Sequence, residues 1–312
     1  MMNGYSRAMT RSSFQQTRIA LSTGIELDVA IEGPENGEPI IFLHGFPESH
    51  RTWRHQIAQF SDRYRCIAPD QRGYARSSKP EGVDAYGIQN LVADVIALAD
   101  ALDIDQFTLM GHDWGAGVAW ATALGHADRI KRLIIANGPH PFTYQKSLFD
   151  DLEQRAAAQY ITAFRGDGFI EYAYRKGWNA YFDENFANFG AAGIEPKERS
   201  IYLEQWATPG AFEAMINWYR ASQIVIPPMP SKNGPDSRDP MPERPAYLDK
   251  PFPILKMPVL LIWAMDDHAL KPSLLDGLDD LIEDLALVKI PGGHFVTWEN
   301  HDAVNAAMEN WL

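Results

Sequence analysis

Residues 107–120 read FTLMGHDWGAGVAW. The first six residues, FTLMGH, are β-forming and end in turn residues, as a buried strand does. The stretch that follows, WGAGVAWATALGH, has the composition of a helix. Between them stands Gly111-His112-Asp113-Trp114-Gly115, which has the form G-x-nucleophile-x-G with aspartate where serine is common. Its two glycines permit a sharp strand-to-helix turn, which would expose Asp113 at the top of a sheet. The helix N-terminus behind it would hold the carboxylate ionised. The competing reading is that Asp113 simply caps the helix.

Working outward, the runs PIIFLHG (39–45), RCIAPD (65–70), KRLIIANG (131–138), MPVLLIWAM (257–265) and LALVKIPG (285–292) also read as strands. Residues 17–31 alternate around Gly24 and suggest a hairpin. Ile88, Leu91, Val92, Val95, Ile96, Ala99 and Leu102 keep helical spacing, and AVNAAMENWL ends the chain as a helix. Strands alternating with helices indicate a mostly parallel sheet flanked by helices. From about 141 to 225 the pattern changes to helix-like stretches dense in aromatics: SLFDDLEQRAAAQYITAFR, FIEYAYRKGW, EPKERSIYLEQWA and GAFEAMINWYRAS. Nine prolines (227, 228, 230, 235, 240, 242, 245, 251, 253) then mark an irregular loop. The expected organisation is an α/β core at 1–139 and 253–312, with a helical lid and its proline-rich loop inserted at 140–252. A length of 312 residues suits one core carrying a large insertion.

In hydrolases built on this elbow, the acid and then the histidine follow the nucleophile. Asp267 lies just past one strand run and His294 just past the next, where a parallel sheet places its functional loops. Asp266 competes with Asp267 for the acid. The third part is His44-Gly45-Phe46-Pro47, where the N–H of Phe46, with that of Trp114, can face an oxyanion. A carboxylate nucleophile points to attack on an sp³ carbon, because the resulting ester can still be cleaved by water. His294, oriented by Asp267, would activate that water. An epoxide oxygen leaves as a basic alkoxide and needs a proton donor, whereas halide does not. Tyrosine suits the task, and the insertion holds Tyr144, Tyr160, Tyr172, Tyr174, Tyr181, Tyr202 and Tyr219. Periodicity does not choose among them.

Composition narrows the partners. The chain is 46% hydrophobic and 22% charged, with 28 basic and 41 acidic residues and a net charge of −13. Nucleic acid and anionic membrane surfaces are repelled. The single cysteine, Cys66, excludes an internal disulfide and any CxxC site. There is no HExxH, HxHxDH, GxGxxG or P-loop, so neither metal nor cofactor is expected. No apolar run reaches membrane-spanning length, and MMNGYSRAMTRSSFQQ has no signal-peptide core. A soluble cytoplasmic protein is expected, and its oligomeric state is left open.

Taken together, HGFPES (44–49), APDQRGYARSSKP (68–80), GHDWGAGVAW (111–120), NWYR (217–220) and GGH (292–294) resemble the α/β-hydrolase-fold epoxide hydrolases over residues 15–312. The resemblance implies Asp113 as nucleophile, Asp267 as acid by its small-x-x-Asp spacing from Ala264, and His294 as base. It implies Phe46 and Trp114 as oxyanion donors, a cis Phe46–Pro47 bond, and two lid tyrosines: Tyr219 in NWYR and Tyr160 in QYITAFR. The substrate it implies is a small apolar epoxide, with water as co-substrate. The proline-rich segment does not align with the family, and His140, near the site, reads as structural. The same core serves haloalkane and haloacetate dehalogenases, although Phe46 stands where the former often carry an amide and no arginine stands near Asp113 to hold a carboxylate. A binding protein with a vestigial site is the other alternative.

Overall fold

A computed structural model of the chain describes residues 14–189, 193–230 and 240–312. Its eight strands are β1 (Gln16–Ala20), β2 (Glu26–Glu32), β3 (Glu38–Leu43), β4 (Tyr64–Asp70), β5 (Phe107–His112), β6 (Ile130–Ala136), β7 (Val259–Ala264) and β8 (Leu285–Ile290). They form one sheet in the order β1-β2-β4-β3-β5-β6-β7-β8. Strand β2 runs antiparallel to both neighbours, and every pair from β4 to β8 is parallel. The α/β architecture is therefore the one expected, hairpin included. Gly24 turns that hairpin at φ +84°.

The helices are α1 (Arg54–Phe60), α2 (Ile88–Ala101), α3 (Trp114–Gly125), α4 (Pro141–Asp150), α5 (Leu152–Ala157), α6 (Gln159–Arg165), α7 (Phe169–Lys176), α8 (Trp178–Asn188), α9 (Pro196–Trp206), α10 (Ala211–Ala221), α11 (Val296–Glu299) and α12 (His301–Glu309). Seven of them, α4 to α10, stand between β6 and β7. The central strands are buried on both faces, which is why they read as continuous apolar runs. Ile41, Leu43, Leu109, Leu133 and Leu261 join α2, α3 and the insertion in one core. Ile40, Phe42, Met110, Ile134 and Leu260 meet Trp53, Ile57 and Phe60 on the other face, with Val304 and Met308 of α12.

Two readings of the sequence are corrected by the structure. The stretch SLFDDLEQRAAAQYITAFR is not one helix. Asp151 leaves helical geometry at φ −119°, ψ 115°, and its carboxylate accepts from the N–H groups of Glu153 and Gln154. A residue that satisfies the free amides of a new helix ends the one before it. Helix α1 was not anticipated, because its seven residues are too few for apolar periodicity to register. Among the described residues of the proline-rich segment, a 3₁₀ turn, Ala246–Asp249, is the one regular element. Pro235, and the tail before residue 14, lie outside the described residues.

The insertion is pinned onto the loops that follow β3 and β4. Trp206 Nε1 donates to the Pro47 carbonyl (2.8 Å) and Trp218 Nε1 to the Arg72 carbonyl (3.1 Å). Buried Arg51 forms a two-pronged ion pair with buried Glu198 of α9. The cleft between insertion and core thus lies over the C-terminal ends of the parallel strands.

Candidate active site

Asp113 sits between β5 and α3 at φ 51°, ψ −120°. A non-glycine residue there is strained by about 1–3 kcal/mol, a cost met by surrounding packing. The packing is tight enough that a Cβ on Gly115 would collide with the Leu43 carbonyl, and one on Gly45 with the Asp113 side chain. Both glycines are thus required by close approach of backbone to backbone and of backbone to carboxylate. Asp113 makes no side-chain cap to α3, so helix capping does not explain it. Instead its Oδ1 accepts the Phe46 N–H at 2.7 Å. The bond between Phe46 and Pro47 is cis. Trp114 opens α3, and its N–H is among the first-turn amides that no helical carbonyl can reach.

The loops after β7 and β8 bring the other two residues to this point. His294 Nε2 lies 3.4 Å from Asp113 Oδ2, and its Nδ1 lies 2.8 Å from Asp267 Oδ2. Asp267 is fully enclosed. Its Oδ1 accepts from the N–H groups of Ala269 (2.7 Å) and Leu270 (3.0 Å), and Oδ2 also accepts from the Asn137 amide (2.7 Å). Asp266 is exposed and turns to the Gly292 N–H at 3.2 Å. The geometry separates the two aspartates that sequence left in competition.

Asn137 is the site residue that sequence reasoning missed. It stands at φ 38° just past β6, accepts the Ala264 N–H at 2.7 Å and holds the Asp267 carboxylate. The dipeptide Asn137-Gly138 carries only a turn signal. Its partner is 130 residues away, so no local pattern could reveal it. His112 also supports the site: its Nε2 lies 2.8 Å from the His294 carbonyl oxygen, and its ring lies beside that of His294, with centroids 5.2 Å apart.

A cavity of about 400 Å³ opens over Asp113. Trp114, Tyr144, Tyr160, Ile161, Tyr219 and Leu270 are among its walls. Tyr160 comes from α6 and Tyr219 from α10, with ring centroids 6.1 Å apart. Tyr219 packs edge-on against Phe46 (5.2 Å) and Trp114 (5.1 Å). The two expected tyrosines therefore face the same space as the carboxylate. Tyr144 joins them, whereas Tyr172 and Tyr181 line a second recess of about 340 Å³ on the far side of Tyr160. His140 does not reach the cavity. It caps α4 and packs between Trp120 and Phe252, where burial lowers its pKa to about 4.

Burial opposes ionisation of Asp113. Hydrogen bonding and charge from His294, helped by His112 and the Phe46 N–H, outweigh it and hold the carboxyl below its ordinary range. Asp267 is likewise held low despite burial, chiefly by His294 and by the Asn137 amide. Burial opposes protonation of His294, but the Asp267 and Asp113 carboxylates raise it well above the ordinary imidazole value. Burial keeps Tyr160 and Tyr219 far above the ordinary phenol range, reinforced for Tyr160 by Tyr144 and for Tyr219 by Tyr160, and for both by Asp113. Both phenols therefore keep their protons at neutral pH. Among the described residues no cluster of three or more His, Cys, Asp or Glu is arranged to hold a metal ion.

An aspartate on a strained strand-to-helix elbow, lining a cavity between core and insertion and lying 3.4 Å from a histidine that is paired with a second carboxylate, is the arrangement of an α/β hydrolase. The profile described as the alpha/beta hydrolase fold matches residues 38–301. The AB hydrolase superfamily protein YfhM of Bacillus subtilis is 32% identical, over 90% of this chain and 91% of its own. A solved structure described under novel epoxide hydrolases from metagenomes of hot environments is 46% identical, with a TM-score of 0.85 over 96% of this chain and 98% of that one. A mutant epoxide hydrolase from Bacillus megaterium, complexed with its product (R)-3-[1]naphthyloxy-propane-1,2-diol, is 28% identical with a TM-score of 0.80, over 94% and 99%. The chain belongs to the α/β-hydrolase fold family and, within it, to the epoxide hydrolases.

Proposed function

We propose that this protein opens a small apolar epoxide to a vicinal diol through a covalent ester on Asp113. Asp113 Oδ1 accepts the Phe46 N–H, and Oδ2 lies 3.4 Å from His294 Nε2. Oδ2 attacks an epoxide carbon, the C–O bond breaks, and the oxygen takes a proton from Tyr160 or Tyr219. Esterification removes the charge of Asp113, and with it one of the two carboxylates that hold the proton on His294. The ring can then give up that proton, which restores the tyrosinate to tyrosine, and, oriented and charge-stabilised by Asp267, deprotonate a water. Hydroxide adds to the ester carbonyl, whose oxyanion falls to the N–H groups of Phe46 and Trp114. Collapse releases the diol and restores the Asp113 carboxylate.

The observation that carries this reading is one cavity lined by Asp113 and the paired phenols, with His294 3.4 Å from the Asp113 carboxylate. Phenol donors answer a need of an alkoxide leaving group that halide does not have. Mostly aromatic and aliphatic walls favour aryl and alkyl epoxides over polar ones. In this reading residues 140–252 are a cap over a core made of 1–139 and 253–312, and the cap supplies both phenols.

The test is the intact mass of a His294→Ala variant exposed to styrene oxide. The expected result is an adduct equal to the whole epoxide mass, absent when Asp113 is also changed to Asn. An alkyl adduct from 1-bromobutane with none from the epoxide would assign a dehalogenase instead.

A further inference from the structure

Tyr160 and Tyr219 come from different helices, and nothing in either helix alone sets the distance between their hydroxyls. Phe164 packs against both rings, and the Arg220 guanidinium reaches the Gly166 carbonyl, but the side chain that makes the most hydrogen bonds between the two segments is Arg165. Arg165 ends α6, five residues after Tyr160, and its guanidinium reaches across to the end of α10. Nε donates to the carbonyl of Tyr219 itself (2.9 Å), NH1 to the Ile224 carbonyl (2.8 Å), and NH2 to the Ser222 carbonyl (3.0 Å) and hydroxyl (2.6 Å). All four acceptors are uncharged, and among the described residues no carboxylate pairs with Arg165. The side chain is partly buried and is not a surface ion-pair partner.

The acceptors belong to the site. Tyr219, Ser222 and Ile224 all line the cavity over Asp113. The carbonyls at the end of a helix have no helical donor, and a cation there is favoured by the helix dipole. A planar fork of five donors can hold several of them in one fixed arrangement, which a single ammonium cannot.

We infer that Arg165 is a positioning residue for epoxide opening: it clamps the end of α10 to α6, sets the spacing of the Tyr160 and Tyr219 hydroxyls, and holds the 222–224 wall of the cavity. This rests on the proton-donor reading of the two tyrosines. Arg165 bonds neither His294 nor Asp267, nor the N–H groups of Phe46 and Trp114, so the clamp acts on hydrolysis only through the packing of Tyr219, and its main effect is on ester formation.

The experiment is single-turnover kinetics on the full chain with styrene oxide, resolving ester formation from ester hydrolysis by tryptophan fluorescence and quenched mass spectrometry. Arg165→Met is expected to slow ester formation at least tenfold while hydrolysis stays within twofold. Arg165→Lys recovers part of the loss, and Ser222→Ala shows a smaller loss in the same phase. In a Tyr219→Phe background, Arg165→Met costs less than it does alone. Equal slowing of both phases, an unchanged rate of ester formation, or losses that multiply independently would each overturn the inference. Should Arg165→Met fail to fold, the lysine and Ser222→Ala variants carry the same comparison. If Tyr160→Phe and Tyr219→Phe leave ester formation untouched, the tyrosine reading falls and this one with it; if they slow it while the Arg165 variants do not, only the role of Arg165 is lost.

Discussion

In the proposed mechanism the Asp113 carboxylate has to stay ionised while being kept short of water, and its neighbours far away in sequence serve both demands. Carried out in water labelled with ¹⁸O, a single turnover should place the label in the Asp113 carboxylate and leave the first diol unlabelled; label in the diol would mean direct attack by water. Tyr219→Phe removes one hydrogen bond to a developing alkoxide, worth about 1.5–3 kcal/mol, so ester formation should slow roughly 10- to 100-fold. Stopped-flow traces in which only hydrolysis slows would contradict that. The pH dependence follows from the directions of shift. Asp113 is held low, so ester formation should persist with falling pH until below the ordinary carboxyl range. The phenols are held high, so no alkaline loss should appear below the ordinary tyrosine value. Hydrolysis needs His294 as a neutral base. It should therefore rise with pH, and Asp267→Asn, which removes the largest source of the upward shift, should move that rise to lower pH while lowering its plateau.

At the scale of elements, the insertion shares a hydrophobic core with the sheet and is tied to it by several buried polar contacts. The Arg51–Glu198 pair joins the loop after β3 to α9. Glu198→Ala strands a buried guanidinium, and urea unfolding should report a loss of about 3–5 kcal/mol. Arg51→Met together with Glu198→Leu removes both charges and should restore most of it. A double variant as unstable as the single one would show that the pair does more than balance charge. The break at Asp151 belongs to the same scale. Helical spacing runs through residues 147–165, but the competition between side-chain and backbone acceptors at Asp151 ends α4 and starts α5. That break turns the chain so that α6 presents Tyr160 to the cavity and Arg165 to α10.

For the whole molecule the net charge of −13 acts at long range. A negatively charged epoxide should be captured slowly at low salt and faster as ionic strength screens the repulsion, whereas capture of styrene oxide should not change. Salt-independent kcat/KM for the anionic substrate would place the charge away from the entrance. Two kinds of information meet at this scale. The strand runs, the strand-to-helix turn at 111–115 and the run of helices between β6 and β7 were legible in the sequence, because each is a matter of local periodicity or turn chemistry; the order Asp113, Asp267, His294 and the 140–252 cap belong to the proposed reading. Asp267 over Asp266 was preferred only through a family spacing, since two adjacent carboxylates have the same local signal until one is enclosed. Tyr160 and Tyr219 were singled out among seven phenols only through the family resemblance, whereas Asn137 and the clamp of Arg165 on the end of α10 were decided by tertiary structure. Each depends on a contact between segments tens to more than a hundred residues apart. Such contacts are set by how the helices pack over the sheet, which no local pattern of residues encodes.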